Sequence, residues 1–229
     1  MNAATRIHDL LRLASPPVAV TFQDGPPDEV DRVTETAVSG CTYWRLAAEG
    51  QTFYTEAPDH FGCPVGSYTH GIDLPDEQAA ELQGLVGTMV QLQYLSEAEV
   101  PSIPQRRETF GVAVYAPATN AGFEPDAVLV HGNAKQMMLL AEAAHSAGIA
   151  TDGSMVGRPT CAAIPAVIES GAAATNFGCI GNRVYTGLAD DELYFVISGP
   201  QMGPLCEALA TIVTANDELD RFHRARLPA

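Results

Sequence analysis

His60-Phe61-Gly62-Cys63-Pro64-Val65-Gly66-Ser67-Tyr68-Thr69-His70-Gly71-Ile72 has a counterpart further along the chain, Asn176-Phe177-Gly178-Cys179-Ile180-Gly181-Asn182-Arg183-Val184-Tyr185-Thr186-Gly187-Leu188. Phe61-Gly62-Cys63 matches Phe177-Gly178-Cys179, and Gly66 answers Gly181 after the loss of one residue. The register recovers within the element, because Gly71 stands as far from Cys63 as Gly187 does from Cys179. An Asp-Glu pair closes each copy, at Asp76-Glu77 and at Asp191-Glu192.

The match extends backwards. Cys41 opens a short helical run ending at Glu49-Gly50, and an extended run to Glu56 leads to the first Phe-Gly-Cys. Cys161 opens another helical run ending at Ser170-Gly171, and Ala172 to Thr175 leads to the second. Each half reads cysteine, helix, glycine, strand, Phe-Gly-Cys, glycine turn. Self-similarity of this kind decides architecture before any local propensity does, and two copies are too few for a solenoid. The expectation is an α/β (or α+β) fold, a mixed sheet with helices, as one domain over residues 1–229. Within it, internally duplicated pseudo-twofold halves span approximately 16–100 and 108–200, followed by a C-terminal helix.

The elements around this repeat alternate between helix and strand, which is the signature of a sheet covered by helices. Helices are predicted over 4–14, 77–94, 134–145 and 202–222, and strands over 18–22, 109–115, 127–130 and 193–198. Residues 100–107, with Pro101 and Pro104, read as the linker between halves. His131-Gly132-Asn133-Ala134-Lys135 lacks the glycines of a phosphate loop and the hydroxyl residue after its lysine, so Asn133 reads as a helix cap.

Composition narrows the function. The chain carries 12 basic and 28 acidic residues, a formal charge of −16, with Lys135 the sole lysine. Such a surface repels phosphate backbones and anionic lipid, so nucleic-acid and membrane partners are not expected. No apolar run is long enough to span a bilayer and no secretion leader is visible, so a cytoplasmic protein is expected. Five cysteines in a reducing compartment argue against a disulfide framework. Cys206 lies outside the repeated pattern and reads as a buried small hydrophobe.

The other four sit at equivalent places in the two copies. Cys41 and Cys161 open predicted helices, where free N–H groups and the helix dipole favour a thiolate. Cys63 and Cys179 sit in glycine turns that let backbone amides approach sulfur. If equivalent loops meet across a pseudo-twofold axis, Cys41, Cys63, Cys161 and Cys179 converge as ligands of one centre. Four thiolates suit zinc or an iron–sulfur cluster. Ligands scattered singly over four loops, without a Cys-x2–4-Cys knuckle, favour the cluster, of the 4Fe–4S kind.

His60 and His70 flank the first turn only, as candidate catalytic bases or ligands, although a loop histidine is more commonly exposed. Arg183 is the one cation within either turn and a candidate for holding a substrate carboxylate, with pairing to Asp190 or Asp191 as the other reading. Phe61 and Phe177 read as core anchors.

The cysteine before a short Ala-Glu-Gly helix, the Cys63-Pro64-Val65-Gly66 turn, Pro125 to Val130 followed by Gly132-Asn133-Ala134-Lys135-Gln136, and Cys179-Ile180-Gly181-Asn182-Arg183 resemble domain-of-unknown-function family 169. The resemblance runs from about Pro17 to the final helix. It implies a soluble prokaryotic protein in which the four repeated cysteines recur, and it implies no reaction. Three functions follow from the residues: a cysteine-ligated metallocofactor protein acting on a small-molecule substrate or a redox partner, a metal-free cysteine-dependent enzyme, and a small-molecule-binding accessory protein with structural cysteines.

Overall fold

A computed structural model describes residues 2–35, 37–153 and 158–228. Helix α1 (Ala3–Leu11) is capped by Asn2, whose side chain accepts the Thr5 N–H at 2.8 Å. It ends at Leu11, earlier than its apolar spacing suggests, because Arg12 turns left-handed (φ 51°) ahead of Pro16-Pro17. Strand β1 (Val18–Gln23), helix α2 (Cys41–Ala48), strand β2 (Phe53–Glu56), helix α3 (Pro64–His70) and helix α4 (Asp76–Gln91) follow, and β3 (Val112–Pro117) completes the first half of the chain.

The second half runs β4 (Ala127–Asn133), α5 (Ala134–Ser146), β5 (Thr151–Asp152), α6 (Ala163–Ser170), β6 (Ala173–Asn176), α7 (Ile180–Thr186), β7 (Glu192–Ser198) and α8 (Met202–Arg224). His131-Gly132-Asn133, expected as a turn, instead continues β4, because β7 pairs with it as far as Asn133. Asn133 then caps α5 in a reciprocal pair with Gln136.

All seven strands form one sheet in the order β2-β3-β1-β4-β7-β6-β5, antiparallel except for the parallel β5–β6 pair. Outward from the central β1–β4 pair the order is β1, β3, β2 on one arm and β4, β7, β6 on the other. Alternation along the strands sends their side chains to two cores. Val18, Val20, Tyr115, Leu129 and Val196 meet α2 and α6 on one face, together with Cys41 and Cys161. Ala19, Val128, Val130, Phe195 and Ile197 meet α1, α5 and α8 on the other, together with Cys206. The fold is therefore α/β with a mixed sheet between two helical layers, and Cys206 is a buried apolar filler on the face away from the other four thiols.

Both stretches after Phe-Gly-Cys, expected as glycine turns, are short helices, α3 and α7. Each stops at a left-handed glycine, Gly71 at φ 71° and Gly187 at φ 73°, the conformation that ends a helix without a Cβ clash. The predicted linker contains a 3-10 turn at Val100–Ser102 and otherwise irregular backbone. No helix among the described residues is long and apolar enough to cross a membrane.

Candidate thiol centre

Four cysteines reach the α2–α6 face of the sheet from four chain segments. Cys41 is the first residue of α2, after Ser39-Gly40, and its N–H reaches the Ser39 hydroxyl at 3.4 Å. Cys63 and Cys179 each occupy the residue before a short helix, α3 and α7. Cys161 lies in a 3-10 turn, Thr160–Ala162, that leads into α6. The packing crosses between halves: α2 lies against α7, and α3 lies against the 160–162 turn. Cys41 is thus carried towards Cys179, and Cys63 towards Cys161.

The electrostatics express the same proximity. The Cys161 thiol is pushed well above its ordinary value, first by burial and then by Cys41, Cys63 and Cys179 together, while the Thr69 hydroxyl pulls the other way. Cys41 is pushed up to about 12 by burial, with Cys63 and Cys179 adding to it and the Asn182 and Ser39 side chains opposing it. The expectation that helix-start positions lower these thiols is overturned, because taking a thiolate out of water outweighs the field of one helix end. Cys63 and Cys179 are partly exposed.

Small and polar side chains fit around the sulfurs. Ser39 Oγ lies 3.9 Å from Cys63 Sγ, and Cys179 Sγ accepts the Asn182 N–H at 3.4 Å. A Cβ on Gly66 would stand 2.9 Å from Cys63 Sγ, so the glycine leaves that sulfur its place. Gly178 has a positive φ of 79°, and a Cβ there would meet Leu188 at 2.9 Å and Asn182 Oδ1 at 3.1 Å. The Asn182 amide is buried beside Cys41, close enough to favour its thiolate but outside ordinary hydrogen-bond geometry at both nitrogen and oxygen. Ser39, Thr69, Thr160 and Asn182 were not singled out as site residues in the sequence. Only Asn182, three residues after Cys179 and so at helical spacing from it, carried a usable cue.

His60 and His70 are not exposed loop residues. Both are buried, their rings 5.7 Å apart, and burial lowers them to about 4 and about 3. The Thr55 hydroxyl donates to the Ala113 carbonyl at 3.2 Å and therefore accepts from His60 Nε2 at 2.8 Å. That assignment leaves Nδ1 of His60 as a lone pair with no donor among the described residues, on the side of Gly40, whose Cβ would stand 3.8 Å from it. Arg183 does not pair with Asp190 or Asp191. Its guanidinium donates to the carbonyls of Phe177, Ala189 and Glu192 at 2.5, 2.6 and 3.0 Å, closing the loop after α7. Phe177 is 54% exposed and is no core anchor.

Among the described residues no three His, Cys, Asp or Glu side chains are disposed as ligands of a single metal ion. One ion holding thiolates at about 2.3 Å requires the sulfurs to crowd together. A cluster spreads them, since each iron takes one thiolate.

The family described as "Uncharacterised ArCR", domain-of-unknown-function family 169, matches residues 6–208. The chain belongs to this family. It is similar to an uncharacterized protein of Methanocaldococcus jannaschii, 25% identical over 216 residues that cover 90% of this chain and 91% of that one. No solved structure matches it. The family match covers all four cysteines of the centre and ends within α8, two residues past Cys206.

Proposed function

We propose that the protein holds a cysteine-ligated metallocofactor, an iron–sulfur cluster of the 4Fe–4S kind, with Cys41, Cys63, Cys161 and Cys179 as ligands. The observation that carries this reading is the packing of α2 against α7 and of α3 against the 160–162 turn, with the Thr160–Cys179 hydrogen bond joining the two pairs, which draws the segments of all four cysteines together. Zinc is the weaker alternative, because among the described residues no trio of ligands has single-ion geometry.

Bound there, the cofactor would supply one-electron redox chemistry, because four thiolate ligands leave no iron of the cluster open to a substrate. The residues around it have separate tasks. Asn182 and Ser39 present polar groups towards Cys41, and donors to cluster sulfurs tune reduction potential. Thr69 does the same for Cys161. Both buried thiols are protonated at neutral pH before ligation, so loading must release protons.

The sheet order, alike on its β1–β3–β2 and β4–β7–β6 arms, supports a pseudo-twofold reading in which β3 (Val112–Pro117) belongs to the first half, beyond the predicted linker at 100–107, with the centre where the halves cross. A cytoplasmic setting, where thiols stay reduced, belongs to the same proposal. The metal-free thiol enzyme has less support: burial holds His60 and His70 neutral and away from solvent, which suits proton exchange with a substrate poorly. The test is anaerobic incubation with iron and sulfide followed by visible absorption and electron paramagnetic resonance after reduction. A broad charge-transfer band and a reduced-cluster signal are expected; colourless, signal-free protein overturns the reading.

A further inference from the structure

Helices α2 and α7 begin at the thiol centre and end at a cleft. The cleft encloses about 190 Å³, below the ~300–1,000 Å³ of drug-sized sites, so its occupant is a compact molecule. Val18 and Leu129 from the sheet, with Ala48 and Leu188, give it an apolar floor. Trp44 and Tyr194 form an aromatic wall, their rings edge to face at 5.7 Å.

The charges in this cleft favour a cation. Arg45 lines it, but donates to both oxygens of Glu49, at 2.7 and 2.9 Å, and is neutralised there. Glu192 also lines it; one oxygen accepts the Ala189 N–H at 3.2 Å, and no arginine or lysine pairs with its carboxylate among the described residues. The Arg183 guanidinium reaches the Glu192 backbone carbonyl instead. His131, whose Nε2 lies 3.2 Å from Ser15 Oγ, is kept neutral by burial. The last carbonyls of α2 and α7 add partial negative charge at the same place.

We propose that this cleft binds a small organic ammonium with a compact apolar body. The ammonium group faces Glu192 and the aromatic wall, where cation–π attraction adds to the ion pair. This site does not rest on the thiol centre and stands or falls separately from it.

Trp44 is the single tryptophan of the chain, so its emission reports on the cleft alone. Choline is the probe, compared with its neutral carbon isostere, in which carbon replaces the ammonium nitrogen. Choline should change the emission saturably, with the isostere about tenfold weaker or more, a difference of about 1.4 kcal/mol. Glu192→Gln, which keeps an acceptor for the Ala189 N–H, should weaken choline about tenfold and leave the isostere unchanged. Equal affinity for the two compounds, an unchanged choline affinity in Glu192→Gln, or no saturable response to choline would each overturn the proposal.

Discussion

The backbone N–H of Cys179 donates to the Thr160 hydroxyl at 2.6 Å. This bond joins the turn that carries Cys161 to the turn that carries Cys179, so two of the four thiols are held by one side chain. Replacing Thr160 by Val keeps the shape and leaves that part-buried N–H without its acceptor. A loss of about 1–3 kcal/mol is expected on that ground, read by denaturant unfolding. Unaltered stability would mean that the turn is held by other contacts.

Gly66 separates two effects by magnitude. Alanine within α3 should gain about 1 kcal/mol of helix propensity. Its Cβ, however, would stand 2.9 Å from Cys63 Sγ, and the sulfur can escape by rotating away from the centre. Gly66→Ala is therefore expected to keep stability within about 1 kcal/mol while lowering metal content after reconstitution. Wild-type metal content in this variant would place Cys63 outside the ligand set.

Thiol accessibility should follow burial. Cys63 and Cys179 are half-buried, whereas Cys41 and Cys161 are buried and carry raised pKa values. Alkylation of metal-free native protein, mapped by mass spectrometry over time, should mark Cys63 and Cys179 first. Faster labelling of Cys41 or Cys161 would show that the helix-start effect prevails over burial after all.

Acid should destabilise the fold through His60 and His70. Both are lowered in the folded state, to about 4 and about 3, from an ordinary 6.5. Above pH 6.5 both states carry neutral imidazoles and the histidines exert no pH dependence. As pH falls from 6.5 towards 4, the unfolded chain takes up protons that the folded chain refuses, and stability drops by about 1.4 kcal/mol per pH unit for each histidine. The slope ends for each group once pH passes below its folded value. Replacing His70 by Gln should flatten this slope by about half between pH 6 and 4. An unchanged slope would contradict the burial of His70.

The alternation of helices and strands made the α/β sheet legible, because continuous apolar, β-branched runs such as Val18 to Phe22 and Leu193 to Ser198 read as buried strands. Helices α3 and α7 were not legible: seven residues with glycine and β-branched positions have weak propensity, and only packing against the other half makes them helical. The burial of His60 and His70 had no local cue either, since Phe22 and Tyr43, which contact their rings, come from distant segments. Phe177 failed as a core anchor because α7 leaves this stretch at the surface, with Ile180 and Val184 exposed beside it. The cysteine positions were legible as a set, but their ionisation was not, since desolvation depends on what covers them.

Iron and sulfide content per chain, measured after anaerobic reconstitution of wild type, Cys161→Ser and Cys206→Ser, tests the central claim most directly. All three must first show matching circular dichroism. About four irons and four sulfides are expected in wild type and in Cys206→Ser, as one 4Fe–4S cluster requires, with a marked loss in Cys161→Ser. Equal content in all three, or no iron in wild type, would contradict a cluster held by Cys41, Cys63, Cys161 and Cys179.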